Sequence, residues 1–217
     1  MNSNNALTER LFFAGWLMVS QLRCGQQIDN GDALYRRATG WVNDARQALT
    51  EAGFSEANRD HMLYAFCVLL DEAVLNRGQQ DDGWLRWSRD PLQVRFFNSL
   101  NGGEALWERI REMLREPAAD ETVLTCLYRT LQLGFVGHYR AQDDERREDV
   151  VRELAARVPP FALAQDAPLV VRPAGMRTGR RFYWMSWVAA AVLLGGLWFV
   201  LDGWLAQMVS GISGMGK

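Results

Sequence analysis

Two adjacent carboxylates stand out in an otherwise apolar run. From His61 to Asn76 the chain reads HMLYAFCVLLDEAVLN, and at about 100° per residue its apolar side chains cover almost the whole circumference, as in a central buried helix. Asp71 falls between Cys67 and Val74 on one side and Tyr64 and Leu75 on the other, while Glu72 lies beside Val68 and Ala65. An ionised carboxylate in such surroundings needs a partner, because leaving it buried and unpaired costs several kcal/mol. Two arrangements meet that need: an internal salt bridge to an arginine such as Arg140 or Arg129, or an acidic cleft that receives a basic partner segment.

Catalysis asks for more than this pair. A base, an orienting group and a substrate pocket must converge, and neighbouring residues on a helix point about 100° apart. His61 and His138 are the only histidines and have no second ligand at metal spacing. Gly102-Gly103 and Gly134-x-x-Gly137 lack the Lys-Ser/Thr and the preceding strand of a phosphate loop, and no nucleophile elbow is present. Cys24, Cys67 and Cys126 are scattered and odd in number, each in an apolar run, so buried thiols in a reducing compartment are expected. No metal, cofactor or catalytic residue is expected. An enzyme working through Asp71, Glu72 and a histidine stands as the alternative to a binding role.

Helical periodicity must position these residues, since no convincing alternating strand precedes residue 158. Helices are expected over about Ala6–Cys24, Asp32–Ala52 and Ser55–Asn76, then from Pro91 to Leu100, from Glu104 to Arg115, after Asp120, and over Asp143–Arg157. Leu11–Val19 resembles the apolar part of a signal peptide, yet it lacks a basic flank and a cleavage site, and reads as part of the first helix. Residues 77–90 read as a polar loop carrying Trp84 and Trp87, candidate anchors for a partner pocket.

The charge is divided. The chain carries 24 basic and 26 acidic residues, a net charge of -2 that argues against nucleic acid. Residues 1–170 hold nineteen arginines against twenty-five acids, whereas 171–181 hold four arginines and no acid. From Phe182 to Leu201 follow twenty uncharged residues, FYWMSWVAAAVLLGGLWFVL, which as a helix span about 30 Å, the thickness of a hydrocarbon core. Tyr183, Trp184 and Trp187 flank one end and Trp198 and Trp204 the other. The arginine collar places the N-terminal part in the cytoplasm by the positive-inside rule. The expected organisation is therefore a cytoplasmic helical domain (1–158), a Pro/Arg-rich linker (159–181), a transmembrane helix (182–205) in the lipid bilayer, and a short periplasmic tail (206–217). Within the span Ser186, Ala190, Ala191 and Gly195 place small residues four apart, which permits close helix approach and self-association.

LLDEAVLN (Leu69–Asn76), a Trp-rich loop, PLQVRFFNSLNGGEALWERI (Pro91–Ile110), LQLGFVGHYR (Leu131–Arg140) and a single C-terminal span occur in that order. Together they resemble the TssL (DotU/IcmH-like) family, inner-membrane subunits of type VI secretion systems. The resemblance implies an all-α cytoplasmic domain of about seven helices in two small hook-like bundles, and a self-associating anchor. It also implies a structural adaptor that joins TssM-like and TssJ-like subunits and docks the baseplate through a TssK-like protein. In the family the acidic pair lines a partner cleft, which maps onto Asp71 and Glu72. The LGFxGxYR segment maps onto Leu133, Gly134, Phe135, Gly137, Tyr139 and Arg140, in contact or in packing. The periplasmic peptidoglycan-binding domain that some relatives carry is not expected here.

Overall fold

The computed structural model describes residues 3–139 and 144–159, and every described element is helical. In chain order these are α1 Ser3–Arg23, α2 Gly31–Glu51, α3 Glu56–Leu75, α4 Asp82–Arg89, α5 Leu92–Phe97, α6 Gly102–Arg115, α7 Glu121–Gln132 and α8 Glu145–Arg157. Helix starts are written locally. Asn30, Ser55, Asp81, Asp120 and Asp144 each accept a backbone N–H of the first turn that follows, satisfying a donor the helix leaves unpaired. Several helix ends are satisfied from a distance. Arg157 of α8 donates to the carbonyls of Leu114 (2.7 Å) in the last turn of α6 and Glu116 (2.8 Å) just after it, and the buried Arg147 to those of Leu131 (2.9 Å) in the last turn of α7 and Phe135 (3.2 Å) in the loop that follows.

Apolar all round, α3 runs through the centre, buried from Met62 to Asp71, and packs against α1, α2, α4, α5, α6 and α7. The buried side chains of all eight helices join in a single hydrophobic cluster around it rather than in two separate cores. The Leu11–Val19 run lies inside α1, where Phe12 and Val19 are fully buried and Phe13 and Leu17 face outward.

One predicted loop is a helix. Residues 82–89 form α4 because Asp81 caps Trp84 N–H (3.1 Å), and because Gly83 and Trp87, one turn apart, present a smooth face to Ile28 and Tyr35. The approach of α4 to α2 is so close that a Cβ on Gly31 would stand 2.2 Å from the Asp82 carbonyl oxygen. Trp87 is completely buried, edge-on to Tyr35 with ring centroids 4.9 Å apart, so it belongs to the core; Trp84 is half-buried. Cys67 and Cys126 are buried, and burial pushes the Cys126 thiol up to about 12. Cys24 is exposed, because α1 ends at Arg23 and the chain turns out at Gly25.

Among the described residues no helix is long and apolar enough to cross a membrane. The linker from residue 160 on, the 182–205 span with Ser186, Ala190, Ala191 and Gly195, the 206–217 tail and Arg140 lie outside the described residues.

Candidate functional site

At the C-terminal end of α3 the carboxylate pair diverges. Asp71, 2% exposed, reaches α5 and accepts Leu92 N–H (2.9 Å, Oδ1) and Gln93 N–H (2.8 Å, Oδ2). Helix α5 starts at Pro91, which offers no capping side chain of its own, so a carboxylate from another helix serves both orphan donors. Burial raises the Asp71 pKa to about 7 despite these hydrogen bonds and the nearby Trp87, which lower it.

Glu72 turns the other way, into the loop that follows α7. It accepts Val136 N–H (3.0 Å) and Gly137 N–H (2.7 Å), and Arg23 of α1 stands 3.5 Å from its Oε1. Burial raises its pKa, opposed by those two N–H groups and by the charges of Arg23 and Arg147. Arg23 in turn donates to the Gly134 carbonyl (2.7 Å). Of the two arginines named from sequence as partners, Arg129 pairs with Glu9 (3.4 Å) instead.

On its far side the same loop is clamped by α6. Trp107 donates its indole N–H to the Val136 carbonyl (3.0 Å), its ring meets Tyr139 edge-on (4.7 Å), and Arg111 donates to the Tyr139 hydroxyl (3.3 Å). Gly137 has φ +64°, and a Cβ there would stand 2.5 Å from the Gly103 carbonyl oxygen, which explains glycine at that position of the GFVGHY segment. Phe135 is fully buried and Tyr139 nearly so. The segment is thus packed, with Val136, Gly137 and Tyr139 contributing one wall of a cavity.

That cavity holds about 550 Å³ between the end of α1, the end of α3 and the loop. Glu72 lies on its lining with Arg23, Asn76, Arg77, Gly137 and Tyr139. Asp71 is not on it. Two arginines and one glutamate therefore line the space, and the Arg77 side chain is fixed by Asp81 and by the carbonyls of Val74 (3.3 Å) and Gln26 (3.2 Å). Sequence reasoning missed Arg23, Asn76 and Arg77. The only local signal was an arginine closing each of two apolar helical runs. Neither histidine is bonded to the carboxylate pair: His138 is exposed, with Nδ1 3.4 Å from the Gly103 carbonyl oxygen, and His61 is half-buried, which lowers its pKa. Among the described residues no three His, Cys, Asp or Glu side chains gather as a metal site.

The family model for the type VI secretion system protein DotU matches residues 10–204. This chain belongs to that family. The crystal structure of SciP/TssL from enteroaggregative Escherichia coli 042 is similar at 63% identity, covering 79% of this chain and 99% of that one with a TM-score of 0.65. The cytoplasmic domain of TssL from Acinetobacter baumannii shares the fold at 23% identity, over 69% of this chain and 95% of that one, TM-score 0.63. DotU from Francisella novicida does so at 16% identity, over 69% and 97%, TM-score 0.59. None of the curated proteins matches. Membership in the DotU family makes the chain a component of a type VI secretion system.

Proposed function

We propose that this DotU-family chain is a structural adaptor held in the bacterial inner membrane by the 182–205 span, with its N-terminal domain cytoplasmic and its C-terminus periplasmic. In this reading it assembles with TssM-like and TssJ-like subunits and with copies of itself, the anchor contacts running through Ser186, Ala190, Ala191 and Gly195. The cytoplasmic domain docks a TssK-like baseplate protein at the cleft beside Glu72, while Asp71 holds α5 in place behind it. The observation that carries the docking site is the polar cavity, in which Arg23, Arg77 and Glu72 are fixed by hydrogen bonds to backbone and side chains and so are preorganised for a partner. No observation favours an enzyme using Asp71 and Glu72, since both carboxylates are occupied by backbone N–H groups.

Affinity purification of the tagged full chain from detergent-solubilised membranes, read by mass spectrometry, tests this. Enrichment of TssM-, TssJ- and TssK-like proteins over a tag-only control is the expected result. Recovery of the chain without them, from cells that express all three, overturns it.

A further inference from the structure

On one face of the described domain the arginines outnumber the carboxylates that stand beside them. On α2, Asp32, Arg36, Asn43 and Arg46 fall within an arc of about 80° at 100° per residue. This stripe borders α4 and α5, because Asp32 bonds Arg86 of α4 (3.1 Å) and the Arg46 guanidinium lies over the Phe96 ring of α5 (5.5 Å). Arg89 of α4 and Arg95 of α5 are exposed, and so is Leu85, which at 100° per residue lies on α4 opposite its buried Gly83–Trp87 face.

Five arginines thus meet three carboxylates, and the carboxylates are spent. Asp90 accepts from the Tyr35 hydroxyl (2.8 Å) and pairs with Arg95 (3.1 Å) and Arg86 (3.5 Å); Asp32 pairs with Arg86; Asp82 accepts Gly31 N–H (2.5 Å). Arg36, Arg46 and Arg89 have no carboxylate within ion-pair distance among the described residues. From Arg36 to Arg46 the helix rises about 15 Å. None of these arginines lines the cavity beside Glu72 or the two surface grooves on α1–α2 and α6.

An arginine band with an outward leucine is complementary to an anionic surface. We propose that the α2–α4–α5 face lies against the anionic phospholipid headgroups of a bilayer, with Arg36, Arg46 and Arg89 over the headgroups and Leu85 at the acyl boundary. The inference rests on the membrane-anchor reading above. The anchor would confine the domain near the cytoplasmic leaflet, whose anionic lipids attract arginines held close to the surface, and at that effective concentration a contact of modest intrinsic strength is populated. Its consequence is orientation: a domain seated on this face turns a defined side to its partners.

The test uses the full chain in lipid nanodiscs, with a fluorophore at Ser88→Cys in a Cys24→Ser background, because Ser88 is exposed on α4 and the other two thiols are buried. Headgroup-quencher lipid is included in discs of phosphatidylcholine alone or with added phosphatidylglycerol. Quenching is expected only in the anionic discs, reversed by high salt, and weakened about fivefold for each arginine removed in the series Arg36→Gln, Arg46→Gln, Arg89→Gln. Thermal melts by circular dichroism confirm that each variant folds, and the salt response of the unaltered chain reads the same contact without mutation. Equal quenching in both discs, quenching that survives all three substitutions, or quenching that needs an added acidic protein overturns the proposal while leaving the anchor intact. Failure of the chain to stay with either disc overturns the anchor reading, and this one with it.

Discussion

The backbone N–H of Gly137 lies 2.7 Å from a carboxylate oxygen of Glu72, 65 residues away in the chain. The contact ties the loop after α7 to the central helix, and Val136 N–H doubles it at 3.0 Å. Replacing Glu72 by Gln puts an NH2 group where one of two acceptors stood, leaving a donor facing a donor. A loss of about 1–3 kcal/mol is expected. Amide exchange should localise it: protection falls at Val136 and Gly137 while the amides of Leu92 and Gln93, held by Asp71, stay protected. A uniform loss across the domain would mean that Glu72 supports the whole core rather than this loop.

The two tryptophans of residues 82–89 should separate sharply. Trp87 is fully buried against Tyr35, so Trp87→Ala is expected to cost about 3–5 kcal/mol, as for other large-to-small core changes. Trp84, half-buried on the flank of α4, should cost about 1 kcal/mol or less on the same change. Urea melts of the two variants decide it, and near-equal losses would contradict the placement of α4.

The reasons for the contrast show how far the sequence reaches. Apolar periodicity and capping residues place seven helices to within a few residues, because those signals are local. The eighth, α4, reads as polar, and its fold is set by what it meets: Gly83 against Ile28 and Trp87 against Tyr35 are contacts between residues some fifty apart. The carboxylate pair is conspicuous in sequence because a charge in an apolar run breaks the pattern. Its partners are not, since the donors turn out to be the backbone N–H groups of Leu92, Gln93, Val136 and Gly137, and a backbone donor leaves no mark in composition or spacing. The same holds for Arg147 and Arg157, charged residues on a charged helix whose targets are carbonyls at the ends of α7 and α6.

Asp71 should make stability depend on pH in an unusual sense for a carboxylate. Its folded pKa of about 7 lies above the ordinary value of 3.8, so the folded state binds the proton more tightly than the unfolded chain. Its contribution is complete below about pH 4 and is lost as pH rises toward 7, on the order of 4 kcal/mol in all. Burial raises Glu72 as well, in the same sense. His61, whose pKa is lowered from 6.5, acts oppositely, and the lowered carboxyls of Asp81 and Asp90 act oppositely below about pH 4. A difference curve removes these: unfolding free energies of the unaltered chain minus those of Asp71→Asn, measured from pH 4 to pH 8, should fall with pH. A flat difference would show that the hydrogen bonds from α5 outweigh burial.

Partner docking has to be tested where the fold is indifferent. Reversing both carboxylates, Asp71→Lys with Glu72→Lys, first suggests itself from sequence as a docking variant that spares the fold. In the structure it would place one ammonium among the Leu92 and Gln93 donors and another against Val136 and Gly137, each buried charge costing about 3–5 kcal/mol. Such a variant is expected to unfold, and its loss of binding would say nothing about a surface. Asn76 is exposed on the lining of the same cavity, one residue past α3, with turn-like backbone angles at negative φ (φ -99°, ψ 7°) that need neither glycine nor asparagine. Asn76→Arg should therefore change stability by no more than about 0.5 kcal/mol while filling the cleft with a third guanidinium. Loss of TssK-like protein from the purified assembly, with TssM-like and TssJ-like subunits retained and an unchanged melt, is the expected outcome. Retention of all three would move the docking surface away from Glu72.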